Sequence, residues 1–156
     1  MLILIDTREK PQAVAKIIDE FQQQRILYDR TKLYIGDFQE FGNPYLVIDR
    51  KQSLDELAAN LTTDKERFKR EIGRAKVTGT KIVILVEQDS YSDRGSRVQI
   101  KTIEDLMLWQ SRHSTVTGEK LYRVLVSWLN KYPIEIRFCR KAETGKEIIK
   151  ILGGQK

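Results

Sequence analysis

Leu2-Ile3-Leu4-Ile5 is a continuous apolar run that ends on Asp6, and Ile82 to Val86 is a second such run that ends on Glu87. Uninterrupted apolar runs of this length suit strands buried on both faces, with an acid left at the C-terminal end of each. Between them the period changes. After Pro11, Val14, Ile17, Ile18 and Phe21 fall at i, i+3, i+4 and i+7, the spacing of one helical face. Strands alternating with helices give an α/β layer structure, here a mixed central β-sheet flanked by helices. At 156 residues the expectation is one domain over the whole chain.

The rest of the chain follows the same alternation. Leu33–Phe41 and Tyr45–Arg50 read as extended arms of a hairpin turned by Gly42-Asn43-Pro44. Ser53-x-x-Glu56 and Thr63-x-x-Glu66 are two capping-box patterns, each announcing a helix. The polar stretch Asp89–Gln99 reads as a mobile loop, with Gly95 inside it. A helix is expected from about Ile103, a turn around Gly118, and a helix carrying Leu121, Leu125 and Trp128. Ile134–Phe138 is a last strand, and Thr144 opens a final helix stopped by Gly153-Gly154.

Composition removes much chemistry. One cysteine, Cys139, excludes an intrachain disulfide and a cysteine-based zinc site, and one histidine, His113, excludes a site needing two imidazoles. No apolar run approaches the roughly 18 residues of a membrane span, and Met1 leads straight into a strand rather than a signal peptide, so an intracellular protein is expected. No G-x4-G-K-[ST] follows a strand, and a nucleotide cofactor is not implied.

The net charge of +6 is unevenly spread. Residues 1–61 carry 8 basic and 10 acidic side chains, whereas residues 62–81 and 131–156 each carry 7 and 3. Basic surface favours a polyanion. Carboxylates in such a protein repel the ligand unless a divalent cation reverses the local logic.

Gly36-Asp37 followed by Asp49-Arg50-Lys51 supplies such a place. Residues two apart on a strand share a face, so Asp49 and Lys51 project together, about 6 to 7 Å apart along the backbone. The hairpin brings Asp37 to the same edge. Magnesium takes one or two carboxylates, waters and phosphate oxygens, and a neighbouring lysine can hold the attacking water and balance charge on the phosphate.

Ile5-Asp6-Thr7-Arg8-Glu9, Gly36-Asp37-Phe38, Asp49-Arg50-Lys51 with Asp55, and Arg67-Phe68 leading into Ile82–Glu87 resemble, in order, the nuclease domain of the XPF family. These are structure-specific endonucleases of the PD-(D/E)xK superfamily, with a restriction-endonuclease-like core. The family pattern runs V-D-x-R-E, then G-D, then E-R-K-x3-D, and covers residues 3–87 in register. The resemblance implies a nuclease dependent on Mg2+ or Mn2+. It puts Asp6, Asp37, Asp49 and Lys51 at catalytic positions, the three acids on metal, and Arg8, Glu9, Arg50 and Asp55 in support.

Asp49 stands where the family usually has Glu, and no helix-hairpin-helix module is expected in residues 1–156. The substrate implied is branched or junction-containing DNA, with a homodimer or partner subunit aiding recognition. The competing readings are a non-catalytic DNA-binding subunit of the same fold and a Holliday-junction resolvase.

Other residues read from their own spacing. Arg67, Arg70 and Arg74 cluster on one flank of the helix Asp64–Lys76 and are the candidate phosphate contacts, with Phe68, Ile72 and Ala75 as its buried stripe. Asp55 also sits in the first turn of a capped helix, where the dipole stabilises any acid. His113 reads as solvated or capping, Cys139 as a structural thiol, and Trp109 and Trp128 as core or interface residues. The Trp128 helix is the candidate dimer face.

Overall fold

The computed structural model describes residues 1–88, 90–91 and 97–154. The elements run β1 (Leu2–Asp6), α1 (Pro11–Gln23), β2 (Leu27–Thr31), β3 (Phe38–Glu40), β4 (Asn43–Lys51), α2 (Leu54–Leu61), α3 (Lys65–Thr78), β5 (Lys81–Glu87), β6 (Ser90–Tyr91), β7 (Arg97–Val98), α4 (Gly118–Lys131), β8 (Ile134–Cys139) and α5 (Thr144–Leu152). Short 3-10 turns cover Glu104–Leu108 and Lys141–Glu143.

The main sheet has six strands in the order β2-β1-β3-β4-β5-β8. β3 lies antiparallel to β1 and β4, while β1–β2, β4–β5 and β5–β8 are parallel. The sheet is mixed, as expected, and both faces are covered. Along β5 the side chains divide by parity. Ile82, Ile84 and Val86 pack with Leu57, Phe68, Leu125 and Trp128 under α2, α3 and α4, whereas Val83 and Leu85 pack with Val14, Phe21 and Ile148 under α1 and α5. An apolar run is what a strand with two dry faces requires. Phe21, Phe38 and Phe68 are the largest side chains at the bottom of these layers, and truncating one to Ala costs about 3 to 5 kcal/mol.

The structure corrects several expectations. β2 is a strand the sequence reading lacks. Among the described residues it is an edge strand paired with β1, and Asp29 and Arg30 obscure its pattern. Residues 33–37 are not an arm of the hairpin: pairing with β4 starts at Phe38, and the register shifts between Gln39 and Glu40. The Ser53 box forms, with Glu56 N–H donating to Ser53 Oγ at 3.0 Å. The Thr63 box does not. Asp64 is the N-cap of α3 without a side-chain bond, and the Thr63 hydroxyl donates to Ala59 O instead.

The expected helix from Ile103 is a 3-10 turn, and Gly118 is the first residue of α4 rather than the centre of a turn. A Cβ on Gly118 would lie 1.7 Å from Leu106 O, so the two segments meet backbone to backbone. In the loop expected at Asp89–Gln99, β6 and β7 pair antiparallel, and the remainder of that expectation, at 89 and 92–96, lies outside the described residues. Trp128 stacks on Phe68 at 5.4 Å between ring centres and is 7% exposed, so its side chain serves the core. Among the described residues no helix is long and apolar enough to cross a membrane.

Candidate active site

β4 ends on Asp49-Arg50-Lys51, and the pleat sends these side chains alternately to the two faces. Asp49 and Lys51 lie beside Ile84 and Val86 on the face covered by α2 and α3, while Arg50 pairs with Leu85 on the other. Arg50 is locked there. Its Nε donates to Glu87 Oε1 at 2.6 Å and its Nη1 to Ala13 O at 2.9 Å, and the Thr144 hydroxyl donates to the same Glu87 oxygen. Arg50 and Glu87 are both buried, so the strand end is clamped by an ion pair below the site.

The turn before β3 delivers Asp37. Gly36 has φ +75°, and a Cβ there would lie 2.9 Å from Ile48 O, so only glycine fits. Asp37 N–H donates to Ile48 O at 2.8 Å, its carbonyl accepts Asp6 N–H at 2.9 Å, and its Oδ2 accepts Arg50 N–H at 2.8 Å. Asp6 N–H and Arg50 N–H therefore fix Asp37 between the C-terminal ends of β1 and β4.

Asp6, Arg8, Glu9, Asp37, Asp49, Arg50, Lys51 and Arg67 all line one cleft of about 410 Å3. Within it Lys51 Nζ lies 3.0 Å from Asp49 Oδ1, donates to Asn60 Oδ1 at 3.3 Å, and stands 5.2 Å from the centre of the Phe68 ring. Burial works against the charge on Lys51, yet Asp49, with smaller help from Asp37, outweighs it and the ammonium pKa is raised. Lys51 is thus a cation and donor here. Burial, then the negative charge of Asp49, pushes Asp37 well above the usual carboxylate range.

Asp49 Oδ2 is buried and has no hydrogen-bond partner among the described residues. A buried carboxylate oxygen left unpaired next to a second acid is costly, and a cation resolves both problems at once. Among the described residues no three His, Cys, Asp or Glu side chains form a ready-made cage. Asp37 and Asp49 could serve a hard cation that keeps waters and adds phosphate oxygens, so the donor set fits magnesium or manganese.

Other expected residues take different places. Asp6 is in the cleft and fully buried, but both its oxygens are engaged: Oδ2 by Arg8 Nε at 2.5 Å and Oδ1 by Leu33 N–H at 2.8 Å. It props the 33–37 loop through the Leu33 amide. Glu9 is 3.8 Å from Arg50 Nη1, and burial raises its pKa. Asp55 does not join the cleft. It lines a neighbouring cavity and accepts the Ser111 hydroxyl, because the first turn of α2 points it towards the 109–117 segment. Of the arginines on α3, Arg67 lines the cleft, Arg70 is exposed outside it, and Arg74 lies over Tyr34 at 5.6 Å. Cys139 is buried with its thiol pushed up to about 11 by burial, an unreactive group.

Three cleft residues escaped the sequence reading. Asn60 accepts from Lys51 and is itself oriented by donating to Glu56 O at 2.7 Å. Glu56 Oε2 accepts Gln52 N–H. Glu71 Oε1 accepts Gly36 N–H at 2.9 Å, and burial, then Asp49, raises its pKa. The i, i+4 spacing of Glu56 and Asn60 was the available signal for those two.

The fold and cleft together define a mixed α/β domain with acids and a lysine gathered at strand ends, the core expected of a restriction-endonuclease-like protein. Residues 5–152 match the ERCC4 domain, and the chain belongs to that family. No curated protein matches it. Among solved structures it is similar to XPF from Aeropyrum pernix, with a TM-score of 0.66 and 13% identity over 100% of this chain and 66% of that one. A second structure, XPF from Aeropyrum pernix in complex with DNA, matches with a TM-score of 0.66 and 16% identity over 97% of this chain and 63% of that one. The chain thus spans just under two thirds of the length of the XPF chains whose fold it shares.

Proposed function

We propose that this domain is a divalent-metal-dependent DNA endonuclease acting on branched or junction-containing DNA. The observation that carries the reading is the orphaned Asp49 Oδ2, buried beside Asp37 and within reach of a lysine kept charged. Asp37 and Asp49 would hold Mg2+ or Mn2+, which when bound supplies an activated water and shields charge on the phosphate. Lys51 is held against Asp49 and Asn60, with Phe68 limiting its freedom, and donates to the attacking water or the phosphate oxygen. Arg67, at the cleft wall, anchors a phosphate of the strand. Arg50 and Glu87 keep the end of β4 rigid, and Asp6 with Arg8 holds the loop that carries Asp37. The DNA-bound relative supports nucleic acid as the ligand.

The test is incubation with labelled forked, flapped and four-way DNA in Mg2+ and in EDTA. Cleavage in Mg2+ alone, abolished in Asp49→Asn, is expected. Binding without cleavage in any metal would identify a non-catalytic DNA-binding subunit, and paired symmetric cuts confined to the four-way junction would identify a resolvase.

A further inference from the structure

Next to the catalytic cleft lies a second cavity of about 200 Å3, and Gln52, the residue after Lys51, lines both. Its wall is the 109–117 segment, folded back on itself. Gln110 and Thr117 form a bridge, Ser111 N–H donates to Val116 O at 3.2 Å, and Gly118 N–H donates to Trp109 O at 2.9 Å. Buried Ser111 pins this strap. Its hydroxyl donates to Asp55 on α2 while its oxygen accepts the amides of His113 and Ser114 at 3.2 and 3.0 Å. The strap is therefore a built wall, and Asp55, which left the catalytic cleft, is part of what holds it.

The lining is chemically mixed in a particular way. Arg112, His113 and Lys141 bring nitrogen donors, Gln52 and Gln110 bring side-chain amides, Asp55 brings a carboxylate already held by the Ser111 hydroxyl, and Trp109, 6% exposed, backs the wall from the core. Cations suit phosphate, and amides suit the edge of a base. The volume is below the range of about 300 to 1,000 Å3 that takes drug-sized ligands. It admits one base and not a base pair.

We propose that this cavity receives an unpaired nucleotide of the strand being cut, beside the scissile phosphate, with Arg112 and Lys141 on its flanking phosphates. The proposal rests on the nuclease reading and gives it a source of structure preference within this domain. A paired base must be unstacked to enter, at a cost of a few kcal/mol that a fork or flap has already met.

Binding in EDTA separates this from catalysis. Forked DNA and fully paired DNA of the same sequence are compared by fluorescence anisotropy for the parent and for Arg112→Ala/Lys141→Ala, which leaves Asp37, Asp49 and Lys51 intact. The expected result is a loss of about ten-fold on forked DNA and less than about two-fold on duplex. A 2-aminopurine placed at the unpaired position next to the fork should change its fluorescence on binding the parent and not the variant. Equal losses on both DNAs, or none on either, with an unchanged 2-aminopurine signal, would overturn the pocket while leaving the nuclease reading intact. A parent that binds neither DNA would overturn both.

Discussion

The Glu71 carboxylate accepts the Gly36 amide at 2.9 Å and so ties helix α3 to the turn that presents Asp37. The same helix supplies Phe68 under Lys51 and Arg67 at the cleft wall. One element thus touches the loop of one acid, the lysine proposed to act in cleavage and the proposed phosphate contact. Glu71 is a positioning residue in this arrangement, acting through Gly36.

Removing that acceptor should loosen Asp37. Glu71→Ala is expected to lower metal affinity and cleavage by about 10- to 100-fold, the usual cost of losing a partner behind a metal ligand. Glu71→Gln keeps an oxygen for the Gly36 amide and should recover most of the loss. Manganese titration checks both, and equal defects in the two variants would mean that Glu71 needs its charge.

Gly36 is fixed by its φ of +75° and by Ile48 O, 2.9 Å from any added Cβ. Gly36→Ala should destabilise the domain by about 1 to 3 kcal/mol, the usual cost of a strained backbone residue, read as a lower urea midpoint.

Arg50 and Glu87 form a buried pair at 2.6 Å on the sheet face opposite Asp49 and Lys51. Arg50→Ala leaves Glu87 uncompensated and should cost about 3 to 5 kcal/mol in thermal or urea unfolding. A variant as stable as the parent would remove the clamp from the account.

The raised pKa of Asp37 has a definite sign. The folded, metal-free state holds this proton more tightly than the unfolded chain, so the Asp37 contribution to stability is present at low pH. It is lost as pH rises from the ordinary carboxylate value through the raised one. As pH rises above about 4 in EDTA, the melting temperature of the parent should therefore fall relative to Asp37→Asn. Cleavage should rise over the same window, because the ionised carboxylate is the form that holds metal.

Asp49 and Lys51 were legible as a pair because a strand has a period of two, whereas Asp6 entered the site only through the family resemblance. The apolar runs gave both layers of core for the same reason. Glu71 was not legible: it precedes buried Ile72 in a helix full of lysine and arginine, and only the tertiary approach of Gly36 reveals its role. Asp55 was misplaced because a first-turn acid looks the same from sequence whichever cleft it faces. β2 was hidden because an edge strand carries charges that break the apolar pattern.

The central claim is that Asp37 and Asp49 share a cation beside a charged Lys51. Calorimetric titration of Mn2+ into the parent, Asp49→Asn and Lys51→Ala tests it most directly. The account predicts saturable binding to the parent and to Lys51→Ala and its loss in Asp49→Asn. Binding to Asp49→Asn as tight as to the parent would contradict it.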